Sequence, residues 1–326
     1  RHGFDYDDEA AVAEQLEATR KRVLAHKDHP ALLTWIIGNE LNFDYENPKV
    51  YDAVNQVSKM IHEIDPNHPT TTTLAGADRR VMKDVMTRAT DLDFISFQLY
   101  ADLVNLPKYV ERSGYEGPYF VTEWGAVGHW EVFETRWGAP VEQTSSEKAA
   151  NYANSYLKVI QPHADQLIGN YVFLWGQKQE RTPTWYGMFL EGGESTEAVD
   201  VMHYIWNNGW PENRAPRVSR VSLNNKVGYD NVTLWPGKEY EAKVAVEDAD
   251  GDALKFHWEV RHESTASEVG GDLEEVPDLV EGLIADPTRP AVTVKAPEEG
   301  GAYRLFVYVY DGKGHAAHSN IPFYVK

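Results

Sequence analysis

The amino-acid sequence predicts an α/β region with a parallel sheet under helical cover, followed by an all-β sandwich. Three observations lead there. Through the first two hundred residues, amphipathic helices alternate with short apolar runs, the order of repeated βα units. The stretch Trp210-Pro211-Glu212-Asn213-Arg214-Ala215-Pro216 then breaks the pattern with two prolines and polar residues, the marks of a linker. Beyond it only strand and turn signals remain, over the roughly hundred residues that an antiparallel sandwich needs.

The elements follow in order. Asp7 to His26 is a helix, with Ala10, Val12, Ala13, Leu16, Val23 and Leu24 forming a stripe among charges. Leu32 to Ile37 is a continuous apolar run in the style of a buried parallel strand, ending in Gly38-Asn39-Glu40. Lys49 to Ile64 is amphipathic and closes at Asp65-Pro66. Thr70 to Leu74, Asp93 to Tyr100, Pro118 to Trp124 and Ile168 to Trp175 read as further strands. Thr144 with Glu147 is a capping box opening a helix to about Gln161, and Glu197 to Trp206 is the last helix. In the sandwich, Tyr303 to Tyr310 mixes branched and aromatic residues as a sheet core does, and Asp250-Gly251 and Asp311-Gly312 are turns. Ser264 to Asp286 is acidic and irregular, a loop insertion.

Composition narrows the function. The chain carries 31 Lys plus Arg against 51 Asp plus Glu, a net charge of −20. A nucleic-acid partner held through clustered basic residues is excluded on that balance. With no cysteine there is no disulfide, thiolate metal site or cysteine nucleophile. No apolar run reaches the length of a membrane span. Nucleophile-elbow, HExxH, P-loop and GxGxxG patterns are all missing, and the sequence implies no cofactor. Ten Trp and 18 Tyr give aromatic faces that either fill a core or stack on sugar rings.

The strongest chemical signal is a pair of carboxylates at strand ends. Glu40 closes Trp35-Ile36-Ile37-Gly38-Asn39-Glu40, and Glu123 closes Tyr119-Phe120-Val121-Thr122-Glu123. In a parallel barrel all strand C-termini open on one face, so the two can meet there. Two carboxyls are what glycoside hydrolysis needs, one as proton donor and one as nucleophile or base.

The segment His29-Pro30-Ala31-Leu32-Leu33-Thr34-Trp35-Ile36-Ile37-Gly38-Asn39-Glu40 resembles the acid/base segment of glycoside hydrolase family 2, one of the retaining clan A barrels. Pro118 to Gly125 resembles its nucleophile strand, Asp93 to Tyr100 its sixth strand, and Tyr171 to Trp175 its eighth. The resemblance covers about residues 1–210 and implies a partial (β/α)8 TIM barrel, strands four to eight. It implies Glu40 as acid/base, Glu123 as nucleophile, Asn39 as contact to a sugar 2-hydroxyl, and Tyr100 as the group orienting Glu123. Gln98 stands where the family often has Asn; with Trp124 and Trp175 it completes the substrate-binding candidates. The domains expected are 1–210 as partial barrel, 211–217 as linker and 218–326 as an immunoglobulin-like accessory sandwich, similar to the polycystic-kidney-disease or cadherin type.

The reading that follows is a retaining glycosidase acting on an oligosaccharide or polysaccharide, extracellular or periplasmic, whose N-terminal half belongs to the same polypeptide. A β-glucan transglycosylase and a non-catalytic carbohydrate-binding fragment are the alternatives. His129, Trp130, Trp137 and Trp185 either line sugar subsites or pack, Gln177 to Arg181 is a solvated loop, and His62 and His68 are structural. Asp248-Ala249-Asp250-Gly251-Asp252 is a turn first and a calcium site second, because the rest of an EF-hand is out of register.

Overall fold

The structure, a computed structural model, describes residues 2–43, 45–267 and 273–326. The chain divides into two compact units. One comprises the residues up to Trp124 together with Leu157–Val172, and the other Gly125–Tyr156 with Phe173–Lys326.

The first unit is mixed α/β with a parallel sheet. Helix α1 (Glu9–His26) starts at Asp8, whose carboxylate accepts the Ala10 and Ala11 amides and so satisfies donors that a helix start leaves orphaned. Strand β1 (Trp35–Ile36) leads to helix α2 (Lys49–Ile64), whose apolar face sets Val57, Met60 and Ile61 against Val23 of α1 and Trp35. Strands β2 (Thr70–Thr71) and β3 (Thr73–Ala75) follow, then helix α3 (Arg79–Arg88), capped by Asp78, and β4 (Ile95–Gln98). Helix α4 (Leu106–Ser113) ends at Gly114, in the left-handed conformation a C-terminal cap favours. Strand β5 (Tyr119–Gly125) is next. Helix α5 (Ser145–Ser155), which belongs to the second unit, opens with the Thr144–Glu147 capping box, both reciprocal bonds being present. Strand β6 (Leu167–Phe173) is the last strand of the sheet, and helix α6 (Glu197–Asn207) belongs to the second unit. The sheet order is β3-β4-β5-β6, and β1 pairs in parallel with β2 alone.

Two departures from the sequence expectation stand out. The Leu32–Ile37 run is not fully buried: Leu33 is 61% and Ile36 48% exposed, and among the described strands β1 pairs with β2 alone, as an edge strand. The other is polarity inside the sheet. Thr70, Thr71, Thr72 and Thr73 are all buried. A buried hydroxyl must find a partner, and each does. Thr70 bonds Ser58 and Asp93, Thr71 bonds Ser96, Thr72 donates to the Ile37 carbonyl, and Thr73 turns toward Gly38, Asn39 and Glu40.

The second unit contains the all-β part. Its strands are β7 (Arg217–Val218), β8 (Ser222–Leu223), β9 (Thr233–Leu234), β10 (Glu239–Lys243), β11 (Val246–Glu247), β12 (Lys255–His262), β13 (Ala291–Lys295), β14 (Gly301–Tyr310) and β15 (Ala316–Val325). They form the sheets β13-β10-β8 and β12-β14-β15-β9 and the ribbon β11-β7. One core serves both sheets, with Leu223, Ala242 and Val294 from the first and Trp258, Leu305, Val307 and Phe323 from the second. The acidic 264–286 segment lies partly outside the described residues.

This unit also buries a charge network assembled from residues far apart in the chain. Glu142 pairs with Lys148 at 2.5 Å and accepts from Thr182, Thr184 and Asn320. Burial alone would raise the Glu142 carboxyl, but Lys148 and these donors outweigh it and hold the group down at about 2. Arg304, buried on β14, reaches Glu263, Asn320 and the Pro140 carbonyl.

Candidate active site

The site begins with a backbone kink. After β1 the chain turns through Gly38 at φ +81° and Glu40 at φ +48°. For a residue with a side chain, the left-handed region costs roughly 1–2 kcal/mol, so Glu40 is held there by its surroundings. The clamps are visible. The Glu40 amide donates to Thr73 Oγ1 at 3.2 Å. Asn42 closes a two-way bond with the Ala75 backbone, at 2.8 and 2.9 Å. The kink thus rides on β3.

The second element is a register shift. Ile95, Ser96 and Phe97 of β4 pair with Tyr119, Phe120 and Val121 of β5, but the next pair is Gln98 with Glu123, not with Thr122. This irregularity re-aims one side chain, the ordinary use of a β-bulge beside a site. Residues paired in a parallel ladder share a sheet face, and Gln98 Nε2 donates to Glu123 Oε1 at 2.8 Å. Tyr100, just beyond β4, donates from its hydroxyl to Glu123 Oε2 at 2.9 Å. Gln98 Nε2 also donates to Asn39 Oδ1 at 2.8 Å, so one amide links the two strand ends.

The electrostatics set the two carboxyls apart. Burial, and after it the charge of Glu123, push the Glu40 carboxyl up from its ordinary 4.5 to about 7. A carboxyl in that condition is a proton donor at neutral pH. Glu123 holds two neutral donors, one on each oxygen, which suits an ionised carboxylate.

Asn39, Glu40, Gln98, Tyr100 and Glu123 are therefore brought together in the first unit. Trp124 is not part of that surface. It is fully buried, and its indole N–H donates to Asn170, because strand alternation turns it to the face opposite Glu123. Trp175 belongs to the second unit, half exposed, with its ring against Phe189 and Trp206. There, too, His129 and Trp185 are buried, while Trp130 is half exposed. Thr73 is the residue that sequence reasoning missed. Its signal was four consecutive threonines in a strand whose other positions call for apolar side chains.

Asp248, Asp250 and Asp252 each offer a carboxylate oxygen within 4.8 Å of the others. Asp248 Oδ1 accepts the amides of Asp250 and Asp252, and Lys313 pairs with Asp252, so the motif is built as a turn. A 590 Å³ cavity lined by Tyr115, Pro118, Tyr119, His163 and Asp165 lies at the start of β5, not at its carboxylate end. Among the described residues no helix is long and apolar enough to cross a membrane.

No family model and no curated protein matches the sequence. Solved structures do. An FMN-binding β-glucuronidase from Faecalibacterium prausnitzii L2-6 matches with a TM-score of 0.43 and 14% identity, over 97% of this chain and 44% of its own. A β-D-glucuronidase from Dictyoglomus thermophilum matches with 0.47 and 16%, over 61% and 36%. The family 53 glycoside hydrolase catalytic domain of Ignisphaera aggregans matches with 0.47 and 15%, over 62% and 67%. The chain spans less than half the length of either glucuronidase.

Proposed function

We propose that this chain carries the reacting carboxyls of a retaining glycoside hydrolase of clan A, with the α/β part as strands four to eight of a (β/α)8 barrel. The observation that carries the reading is the pair of unlike carboxyls: Glu40 protonated near neutral pH, and Glu123 supplied with a donor on each oxygen. That is the division of labour of double displacement.

The chemistry follows from the site. Glu40 gives its proton to the leaving glycosidic oxygen while Glu123 attacks the anomeric carbon and becomes an ester. Esterification removes the Glu123 charge, one of the two causes of the raised Glu40 pKa. Glu40, which has already given its proton to the leaving oxygen, therefore stays ionised and takes a proton from the water that hydrolyses the ester, restoring the starting configuration. Gln98 and Tyr100 hold the carboxylate in line for attack, lose their charged acceptor in the ester, and regain it as Glu123 departs in the second step, which favours that release. The substrate class is a β-linked oligosaccharide or polysaccharide.

The test is a panel of aryl β-galactosides, β-glucuronides, β-glucosides and β-mannosides, with the first-formed anomer followed by NMR. Hydrolysis with retention, abolished in Glu123→Gln, is expected. Inversion, or turnover indifferent to Glu123→Gln, removes the assignment. Sugar binding without turnover, equal in wild type and Glu123→Gln, puts the binding-module reading first. Longer oligosaccharides at high substrate concentration mark transfer to sugar in place of water.

A further inference from the structure

Thr73 lies on β3, is 1% exposed and bears no chemistry of its own. Its hydroxyl nevertheless meets three groups of the kink: the Glu40 amide at 3.2 Å, the Asn39 side-chain oxygen at 3.2 Å and the Gly38 carbonyl at 3.3 Å. One hydroxyl has a single proton and two lone pairs. It can therefore accept from Glu40 and donate to one of the two oxygens. Asn39 Oδ1 also takes the Gln98 hydrogen, so both of its lone pairs are engaged when Thr73 donates there. That fixes the amide orientation: Asn39 Nδ2, an exposed donor with no protein partner among the described residues, is presented outward.

The three threonines before it spend their hydroxyls within the sheet and its neighbours, on Ser58, Asp93, Ser96 and the Ile37 carbonyl. Thr73 alone of the four spends its own on the acid-bearing turn. Where the chain holds a non-glycine residue at φ +48°, the one side chain that accepts its amide is an obvious restraint.

We propose that Thr73 is a positioning residue: its hydroxyl holds Glu40 in the left-handed turn and orients Asn39 as a hydrogen-bond donor toward a substrate hydroxyl. The inference rests on the glycosidase reading for its kinetic consequence. Through Asn39 and Gln98 the same hydroxyl is tied to Glu123, so the supports of both carboxyls share one chain of bonds.

The experiment compares Thr73→Val, which keeps the branched shape and removes the hydroxyl, with Thr73→Ser, which keeps the hydroxyl. The full chain is assayed by kcat/KM on 2,4-dinitrophenyl and phenyl β-glycosides of the sugar the panel selects. Dinitrophenolate leaves without protonation, whereas phenolate needs the acid. A displaced Glu40 should lower the phenyl-to-dinitrophenyl ratio about tenfold in Thr73→Val, a part of the 10²–10⁴-fold that general acid catalysis is worth. Thr73→Ser should keep the ratio within about threefold of wild type. An equal fall on both substrates, no fall, or a serine that behaves like valine overturns the proposal, since simple loss of packing would not discriminate leaving groups.

A second measurement stands apart from turnover: hydrogen exchange of the Glu40 amide by NMR in the unliganded chain. Protection should be lost in Thr73→Val and kept in Thr73→Ser. Unchanged protection in Thr73→Val overturns the restraint whatever the kinetics. An inactive wild-type chain sinks the glycosidase reading, and the restraint is then decided by the exchange data.

Discussion

Glu40 and Glu142 are both carboxyls taken out of water, and the molecule treats them in opposite ways. Glu142, in the second unit, meets a lysine and three neutral donors, and is held ionised with a pKa near 2. Glu40, in the first unit, meets a like charge instead and is pushed up to about 7. Burial acts in the same direction on both; the neighbours decide. One arrangement locks a charge in place, and the other keeps a proton ready to leave.

The largest effect expected belongs to the working pair. Glu123→Gln should lower kcat/KM about 10³-fold or more, and Glu40→Gln should cost 10²–10⁴-fold on phenyl glycosides while sparing dinitrophenyl ones, all by steady-state kinetics. The locked pair should answer in stability. Glu142→Leu leaves Lys148 buried and unpaired, and should destabilise the chain by about 3–5 kcal/mol in urea unfolding. The double variant Glu142→Leu with Lys148→Met should recover most of that loss; if it does not, the donors matter more than the ion pair. Tyr100→Phe, which removes a bond that aligns Glu123 for attack, should lower kcat/KM roughly tenfold or more. Thr182→Val should cost about 1 kcal/mol of stability, because three donors remain on Glu142.

Proton linkage gives the contrast its sign. Glu40 has a folded pKa above its ordinary 4.5, so its contribution favours folding below 4.5 and is lost as the pH rises through 7. Glu142 has a folded pKa below 4.5, so its contribution is present above 4.5 and is lost as the pH falls toward 2. His318, buried near that pair, is pushed down from 6.5 to about 3, and its share likewise fades as the pH falls below 6.5. Unfolding from pH 3 to 8 should show Glu40→Gln gaining on wild type as the pH rises, and the penalty of Glu142→Gln shrinking as it falls. The alkaline limb of kcat/KM should lie near pH 7 and vanish in Glu40→Gln.

Much of this was legible in the chain. Periodicity placed α2 at its observed limits, and the Thr144–Glu147 pair announced α5, because both signals are local. Glu40 and Glu123 could be brought together on paper because parallel strands point their ends the same way, and Gln98 and Tyr100 were added by the family resemblance. What stayed hidden depends on packing between distant segments. Thr73 looked like an ordinary strand residue, whereas the inward face of Trp124 follows from simple alternation once Glu123 faces the site. The Glu142 network joins residues 142, 148, 182, 184 and 320, a set that no window of sequence contains. The exposed side of β1 follows from its pairing with β2 alone among the described strands, which composition does not encode.

The irregularity between Phe97 and Gln98 has a further consequence, one of phase. Side chains along a strand alternate like teeth, and the slip of one residue decides which tooth meets Glu123. In phase, the carboxylate faces an amide with two hydrogens to give. One step earlier or later it would face Phe97 or Leu99, both buried apolar side chains with nothing to donate. Inserting or deleting a single residue before Gln98 would therefore silence the site while leaving every one of its functional residues in the chain. What is inherited here is as much an alignment as a set of amino acids.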